Sequence, residues 1–523
     1  MGQFIGNLLR FLRYRVFFTP RQRIITSTVV LALLAWGTVT VVQRVTTPED
    51  RSCAPGVARP EDSDECVGVA VEGRGYAFGQ EHLAQVAAAI GRENAGLKDG
   101  QYATVAVLLP LTSTSAGLRE KVLHELQGAF AQQYRANRQN NESPKIRLVL
   151  ANSGKDNVHW KAAVDQLKTL TGAPHHLRAV SGIATSSTAV REAVAELTGA
   201  GIAVVGTTIT ADDIANAPNR NRFPGLARVS PTNGDEARAL AHFGEVDAAK
   251  ALLVHDTRTG DHYTDTLKDA FSDLLAKSPY EPQLFTSADD PNAEGTTANT
   301  FRQITHLVCD TRAETVFFAG RHTQLRQFIN ALGARGCKDR SFRVLTGDEG
   351  SYLGADPQLD RDALSAGLTV LYAALAHPDA WQKTATYTPP ATGGSTAAYG
   401  EFVRALGEVA KAPAGPVGPT ALADGQTIVA YDAMAAAVRA VREATPRGER
   451  LPPLADVARQ WPQVKGSLKV EGASGWICLD NFGNPYNKAV PVVQLTADAP
   501  RFVEMAWPEG KPPADDCLPP RRP

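Results

Sequence analysis

The 523-residue sequence lacks an excess of charge of either sign. Its 54 lysines and arginines are balanced by 55 aspartates and glutamates, which gives a formal net charge of −1 at pH 7. Nucleic-acid-binding domains usually carry a basic patch or stripe, and no such stripe occurs beyond residue 23. The composition therefore argues against a nucleic-acid partner.

Motifs for catalysis and for metal binding are also missing. The chain has no C-x-x-C, which excludes zinc-ribbon and thioredoxin-type sites. It has no G-x-S-x-G, Walker A, H-E-x-x-H or dinucleotide-binding glycine motif in a suitable context. His175 and His176 form an isolated pair in a turn, where surface histidines are commoner than metal ligands. We therefore predict a protein that is not an enzyme and holds no metal or cofactor.

A single long run without charge lies near the N-terminus, at residues 24–42. Nineteen helical residues span roughly 28 Å, about the thickness of a bilayer core. The run is preceded by arginines and no acidic residue, namely Arg10, Arg13, Arg15, Arg21 and Arg23. The positive-inside rule then predicts a cytoplasmic segment 1–23, a single membrane span and an extracytoplasmic remainder. A cleaved signal peptide is the alternative, and the absence of an A-x-A site argues against it.

Six cysteines lie on the predicted outer side of the membrane. An even number in an oxidising compartment favours disulfides, and six cysteines allow 15 pairings. Their order along the chain favours Cys53–Cys66, Cys309–Cys337 and Cys478–Cys517. Six free, buried thiols are the alternative.

The composition of residues 43–99 predicts a spacer with one short helix. From residue 103 onward, patterns typical of strands and helices alternate. Continuous apolar runs such as Ala103–Leu109 and Ala179–Gly182 are typical of parallel strands covered on both faces. A second array of the same kind begins after Pro231. We therefore predict an α/β protein with two doubly wound lobes, followed by a frayed Pro-rich tail at residues 507–523.

The loops after these strands carry the candidate ligand-binding residues, because doubly wound sheets bind ligands beyond the carboxyl ends of their strands. The loops of the first array carry hydroxyl groups and those of the second carry charged groups. The candidates are Thr112, Ser113, Thr185, Ser186, Thr208, Thr210, Thr259, Arg321 and Glu349. Helix capping is the alternative role for any one hydroxyl loop. We expect Arg321 and Glu349 to face Thr185 and Thr210 across one cleft.

Several segments together carry a family resemblance, although none is specific alone. They are Phe223–Pro231, Phe317–His322, Gly347–Gly350, Tyr431–Ala433 and Gly475–Gly483. From about Ala103 to Leu495 the chain resembles the type I periplasmic binding proteins of branched-chain amino-acid ABC transporters. The resemblance implies two Rossmann-like lobes joined by three crossovers, made of residues 100–229 plus 366–474 and 230–365 plus 475–506.

By the same resemblance, the chain is expected to be a membrane-anchored solute-binding protein that works with an ABC permease. The expected ligand is an amino acid or a similar small polar molecule. An extracytoplasmic sensing module of a signalling system is the alternative. The resemblance implies that Thr185 and Thr210, with the backbone of Thr208, hold the ligand carboxylate. It implies that Glu349 holds the ligand ammonium group.

Two departures from the family pattern affect the expected ligand. Thr259 and Arg321 stand where relatives carry aromatic rings that cover a leucine side chain. We therefore expect a ligand more polar or acidic than leucine, or a degenerate site.

Overall fold

The computed structural model describes residues 19–46, 50–72, 75–140, 142–289, 294–365 and 367–519, with only the backbone for residues 37–46. The chain divides into two compact units, residues 1–52 and 53–523. The first unit contains helix α1, Pro20–Thr46, in which apolar side chains such as Ile24 and Leu31 are exposed. Over the described residues, no helix combines the length and apolar character that a membrane crossing requires. The span predicted at residues 24–42 is therefore not supported.

The second unit is built on two large sheets. The first has eight strands in the order β1-β2-β3-β5-β4-β6-β7-β8. These are β1 Ser52–Ala54, β2 Val57–Ala58, β3 Val67–Val69, β4 Tyr102–Leu109, β5 Lys145–Asn152, β6 Leu177–Gly182, β7 Ala203–Gly206 and β8 Leu226–Arg228. Strands β4 to β8 pair in parallel, and β3 adds to the edge of β5 in the antiparallel direction. The parallel strands confirm the α/β prediction for this part of the chain.

The second sheet has seven strands in the order β10-β9-β11-β12-β13-β16-β17. These are β9 Ala251–Asp256, β10 Gln283–Phe285, β11 Thr315–Ala319, β12 Phe342–Thr346, β13 Leu368–Ala373, β16 Val490–Leu495 and β17 Arg501–Ala506. The first five pair in parallel, and β16 and β17 add in the antiparallel direction. A separate hairpin joins β14, Val470–Gly472, to β15, Gly475–Ile477.

Helices cover both sheets. They are α2 Ala84–Ala95, α3 Ala116–Arg138, α4 Trp160–Thr169, α5 Thr188–Gly199, α6 Asn233–Gly244, α7 His262–Leu274, α8 Thr297–Asp310, α9 His322–Gly333, α10 Thr396–Val409, α11 Gln426–Glu443 and α12 Leu454–Ala458. Short 3-10 turns connect several of them. Helices α3 and α11 pack closely at Gly128, where a Cβ atom would lie 2.1 Å from the Thr427 carbonyl oxygen. That glycine lets two long helices approach over the first sheet.

The predicted spacer and tail are corrected by the structure. Residues 52–69 are not a free spacer, because they contribute β1 to β3 to the first sheet. The tail is held at Cys517, which is 1% exposed and bonded to Cys478. The predicted lobe boundaries stay a prediction, although β13 pairs with β12 and so joins the second sheet rather than the first predicted lobe.

All three favoured disulfides are confirmed. Cys53 bonds to Cys66, and Cys309 bonds to Cys337. Together with Cys478–Cys517 these bonds use every cysteine of the chain. The alternative of six free thiols is therefore wrong for this structure.

Candidate ligand-binding cleft

A cavity of about 500 Å³ lies between the loops at the carboxyl ends of the two sheets. This volume is within the range of small-molecule sites. We call it the cleft; its lining residues are Ser115, Leu118, Lys121, Asp156, Asn157, Ala184, Thr185, Ser186, Ser187, Thr208, Thr210, Arg258, Gly260, Asp261, Tyr263, Asp289, Arg321, His322, Asp348, Glu349 and Tyr352. No cluster of potential metal ligands occurs in the described part of the chain.

The loop after β6 forms one wall of the cleft. The chain turns at Gly182, whose φ is +90° and whose added Cβ would lie 2.5 Å from the Leu108 carbonyl oxygen. Only glycine fits that turn, and it directs residues 184–187 toward the cleft. The loop ends at Ser187, which caps α5 by accepting a hydrogen bond from the Val190 backbone. The capping role therefore belongs to Ser187, and Thr185 and Ser186 are left for other contacts.

Hydroxyl groups of two neighbouring loops meet on this wall. Thr185 Oγ1 accepts a hydrogen bond from Asn157 Nδ2 at 2.9 Å, which leaves its own proton to donate. Ser186 Oγ accepts from the Ala211 backbone nitrogen at 3.3 Å, which ties the loop after β6 to the loop after β7. Thr208 Oγ1 lies 2.9 Å from the Ala184 carbonyl oxygen. The wall is thus a connected polar surface.

A buried lysine lies beside these hydroxyl groups. Lys121 on α3 is 5% exposed, and its Nζ donates to the Ala184 carbonyl oxygen at 2.8 Å. The same Nζ lies 5.9 Å from the centre of the Tyr352 ring on the opposite wall. Our sequence reasoning missed this cation, because it lies within a helix rather than at a strand end. It gives the hydroxyl wall a positive charge.

The opposite wall contains an ion network centred on Arg321. Its Nε donates to Asp261 Oδ2 at 2.7 Å and its Nη2 donates to Asp261 Oδ1 at 2.6 Å. Its Nη1 donates to Glu349 Oε1 at 2.7 Å. The guanidinium carbon lies 4.7 Å from the centre of the Tyr263 ring. The Arg321 guanidinium is therefore hydrogen-bonded to two carboxylates of the protein. The sequence alone had suggested that it would be free to donate to a ligand.

Glu349 is the most fully satisfied acid of the cleft. Besides Arg321, it accepts from the His322 backbone nitrogen at 3.0 Å and contacts His322 Nδ1 at 2.6 Å. Burial alone would raise the pKa of Glu349, but the charge of Arg321 and the bonds from His322 hold that pKa well below its usual range. Glu349 is thus an anion whose charge and hydrogen-bonding capacity are largely taken up by its neighbours.

Asp348, the preceding residue, has a different environment. It is 7% exposed, and its Oδ1 lies 3.5 Å from Thr210 Oγ1 on the hydroxyl wall. Burial, with the charge of Glu349, raises the pKa of Asp348 to about 7. Nearby Glu236 accepts from the Asp348 backbone nitrogen at 3.1 Å, and burial and the charge of Asp348 raise the pKa of Glu236 well above its usual range. The negative charges of Asp348 and Glu236 are therefore poorly compensated by neighbouring groups.

Two tyrosines supply an aromatic surface in the cleft. From Thr259 and Arg321, which stand where relatives carry rings, we had inferred that this surface was lost. Tyr263 begins α7 four residues after Thr259, and its hydroxyl accepts from the Glu349 backbone nitrogen at 3.3 Å. Tyr352 lies three residues after Glu349 and packs on the His322 ring at 4.9 Å between centroids. From the sequence we considered aromatic rings over the ligand only at positions 259 and 321. We therefore missed the rings of Tyr263 and Tyr352, which other positions in the chain supply.

Six of the nine candidate residues line one cleft. They are Thr185, Ser186, Thr208, Thr210, Arg321 and Glu349. The other three do not line it. Thr112 is hydrogen-bonded to Glu65 and Asn152, Ser113 is buried, and Thr259 is exposed. A role in ligand binding is therefore not supported for these three.

Comparisons with known proteins find similarity only at the level of structure. No protein-family model matches the chain, and no curated protein sequence matches it. LivJ of Streptococcus pneumoniae, solved with isoleucine, superposes with a TM-score of 0.55 at 14% identity, over 78% of this chain and 99% of that chain. The leucine-binding protein LivK of Thermotoga maritima gives a TM-score of 0.54 at 17% identity, over 78% and 99%.

A third similar structure was solved with a different ligand. It is an ABC-transporter solute-binding protein of Rhodopseudomonas palustris in complex with p-hydroxybenzoic acid, with a TM-score of 0.53 at 16% identity over 77% of this chain and 96% of that chain. The chain has the fold of the type I periplasmic binding proteins. At these identities the likeness establishes the fold, and the ligands named for the three structures belong to those proteins.

Proposed function

We propose that this protein is a solute-binding component of an ABC-type uptake system and that it binds a small carboxylate-bearing molecule between its two sheets. The observation that carries the proposal is the cleft itself. It sets the hydroxyl groups of Thr185 and Thr210 opposite the charged groups of Arg321 and Glu349, in a volume of about 500 Å³. A ligand that contacts both walls favours the closed arrangement of a hinged protein.

The hydroxyl wall is suited to hold the carboxylate. The Thr185 hydroxyl has a proton to donate, and the first backbone N–H groups of α5 have no partner within the helix. The helix dipole and the charge of Lys121 both favour an anion at this position. The second wall contributes acids that can hold a positive group and tyrosine rings that can cover an apolar one.

Binding and transport are favoured over catalysis and sensing by the proteins of similar structure. They are named as the substrate-binding protein of a branched-chain amino-acid transporter, a leucine-binding protein and the solute-binding protein of an ABC transporter. The three disulfides support an oxidising, extracytoplasmic location. A thermal-shift screen of the purified full chain against amino acids and hydroxybenzoates tests the proposal. We expect at least one of these carboxylates to raise the melting temperature, and no response from any of them would contradict it.

Attachment to a membrane through residues 24–42 is a separate part of the proposal. It is supported by the exposed apolar side chains of α1, such as Ile24 and Leu31, and by the arginines that precede them. Fractionation of cells with a carbonate wash tests it. We expect the full chain in the membrane fraction and a chain that starts at residue 50 in the soluble fraction. Release of the full chain by carbonate would contradict the attachment.

A further inference from the structure

Two acids adjacent in the sequence, Asp348 and Glu349, line the cleft. They differ in how far neighbouring groups compensate their negative charge. Glu349 receives hydrogen bonds from Arg321 and from the backbone of His322, and its Oε2 lies 2.6 Å from His322 Nδ1. Among the described residues, the one other residue that donates to the Asp348 carboxylate is Thr210, at 3.5 Å, which is the upper limit of a hydrogen bond. The backbone N–H of Asp348 itself also bonds to this carboxylate. Among the described residues no cation lies within 4.0 Å of the Asp348 carboxylate.

We propose that Asp348, rather than Glu349, is the acid that holds the positively charged group of the ligand. This inference rests on the proposed function of the cleft. An ammonium group placed against Glu349 would have to share it with Arg321, whose guanidinium is fixed by two bonds to Asp261. The same group placed against Asp348 would meet a carboxylate that has acceptor sites left.

The position of Asp348 also suits a ligand that bridges the walls. Asp348 is the acid of the second wall that contacts the hydroxyl wall directly, through Thr210. Thr210 is one of the hydroxyl groups proposed to hold the carboxylate, so an α-amino acid could place its ammonium beside Asp348 and its carboxylate beside Thr185.

Binding of an ammonium group should be linked to the protonation of Asp348. The charged or titratable groups that face Asp348 are Lys121 of α3, Glu236 of α6, Tyr263 of α7, Arg321, and its neighbours Glu349 and Tyr352. Burial and the charge of Glu349 raise the pKa of Asp348 to about 7. A cationic ligand needs the carboxylate form, and its affinity should therefore fall as the pH drops below 7.

The test uses the purified full chain and a fixed set of probes. These are the twenty common amino acids and two carboxylates without an ammonium group, 4-methylpentanoate and 4-hydroxybenzoate. Each probe that raises the melting temperature is titrated by calorimetry against the wild type, Asp348→Asn and Glu349→Gln. We expect an amino acid to bind, and we expect Asp348→Asn to weaken its binding about 10- to 150-fold, a clearly larger loss than Glu349→Gln causes.

A pH series provides a second measurement that a purely structural defect would not reproduce. Between pH 8 and pH 5.5 the wild type should lose roughly 10- to 30-fold in affinity for the amino acid, and Asp348→Asn should show a flat profile. If Glu349→Gln does not fold, the pH profiles of wild type and Asp348→Asn carry the test, because only loss of the Asp348 carboxylate is expected to flatten the profile.

Three results would overturn the inference. A loss of affinity in Glu349→Gln that equals or exceeds the loss in Asp348→Asn would contradict the assignment to Asp348. If only 4-methylpentanoate or 4-hydroxybenzoate binds, the protein does not recognise a positively charged group of the ligand. The proposed function would then stand without this inference. Failure of every probe would count against the proposed function itself and the inference with it.

Discussion

Arg321 and Asp261 form a two-point ion pair, in which the guanidinium donates from Nε and from Nη2 to the two oxygens of one carboxylate. The Arg321 and Asp261 side chains are 18% and 6% exposed. Glu349 holds a third nitrogen of the same guanidinium. A charged residue that the sequence presents as available to a ligand is thus part of the wall that shapes the cleft.

Replacement of Arg321 by methionine should destabilise the protein strongly. Asp261 and Glu349 would each be left as buried carboxylates without their main partner, and breaking a buried ion pair typically costs about 3–5 kcal/mol. Urea unfolding measures the free energy of unfolding. The matched control is Lys250→Met, which removes an exposed ion pair to Glu314 and should leave the unfolding midpoint unchanged. Equal midpoints for Arg321→Met and wild type would contradict the network.

Replacement of Glu349 by glutamine should also weaken the ligand-free protein, by about 1–3 kcal/mol, because charge-assisted hydrogen bonds from Arg321 and His322 are lost. The pKa of Glu349 is depressed in the folded state, so its contribution is present above its unfolded pKa and is lost only in strong acid. Unfolding at pH 7 measures the difference, and an unchanged midpoint would contradict it.

Asp348 should make stability fall as the pH rises. Its pKa is raised to about 7 in the folded protein, from 3.8. The folded state therefore binds the proton more tightly, and the free energy of unfolding declines between about pH 4 and pH 7 and is then level. The total effect is at most about 4 kcal/mol at 1.36 kcal/mol per pKa unit.

The variant Asp348→Asn should remove that pH dependence. Relative to wild type it should gain stability at pH 8 and match it near pH 4, as measured by urea midpoints at each pH. Glu314→Gln, at an exposed position, is the control and should follow the wild-type profile. Parallel profiles for Asp348→Asn and wild type would show that burial of Asp348 carries no such cost.

Tyr352 should supply the apolar cover of the ligand. Its ring lines the cleft and is held by the His322 ring at 4.9 Å. Tyr352→Ala should weaken ligand binding about 10- to 100-fold, because a buried aromatic ring contributes roughly 2–3 kcal/mol through its area. Tyr352→Phe retains the ring and is the matched control. If calorimetry gives the same affinity for the alanine and phenylalanine variants, the ring does not cover the ligand.

The βα arrays could be predicted because their signal is long and redundant. β4, for example, begins one residue before the predicted run Ala103–Leu109 and ends with it, because an eight-residue buried strand leaves little ambiguity. Short strands at sheet edges, such as β1 and β10, carry too few residues for a period to appear.

The cleft was predicted in part for a similar reason. Parallel topology brings the loops after β6 and β7 to one edge of the first sheet and the loop after β12 to the carboxyl edge of the second sheet. Thr185, Thr210 and Glu349 could therefore be named as candidates from the sequence. The pairing of Arg321 with Asp261 depends on how two side chains turn toward each other, and no spacing rule reports that. Lys121 lies on a helix, outside the strand ends where a ligand site was sought.

Thiol labelling tests the extracytoplasmic location. All six cysteines are bonded in the structure, so intact cells should show no labelling of this protein without reductant and labelling of the cysteines after reduction. The reagent must be one that does not enter the cytoplasm. No labelling after reduction would contradict the proposed location, and full labelling without reductant would contradict the disulfides.

The central claim is that the hydroxyl wall holds a carboxylate ligand, and the most direct test is calorimetric titration of wild type and Thr185→Val with the same carboxylate probe. Valine keeps the shape of threonine and removes the hydroxyl group that the structure leaves free to donate. We predict a loss of affinity of about 10-fold or more, as expected for a hydrogen bond to a charged group. Equal affinity of the two proteins for the probe would contradict the account.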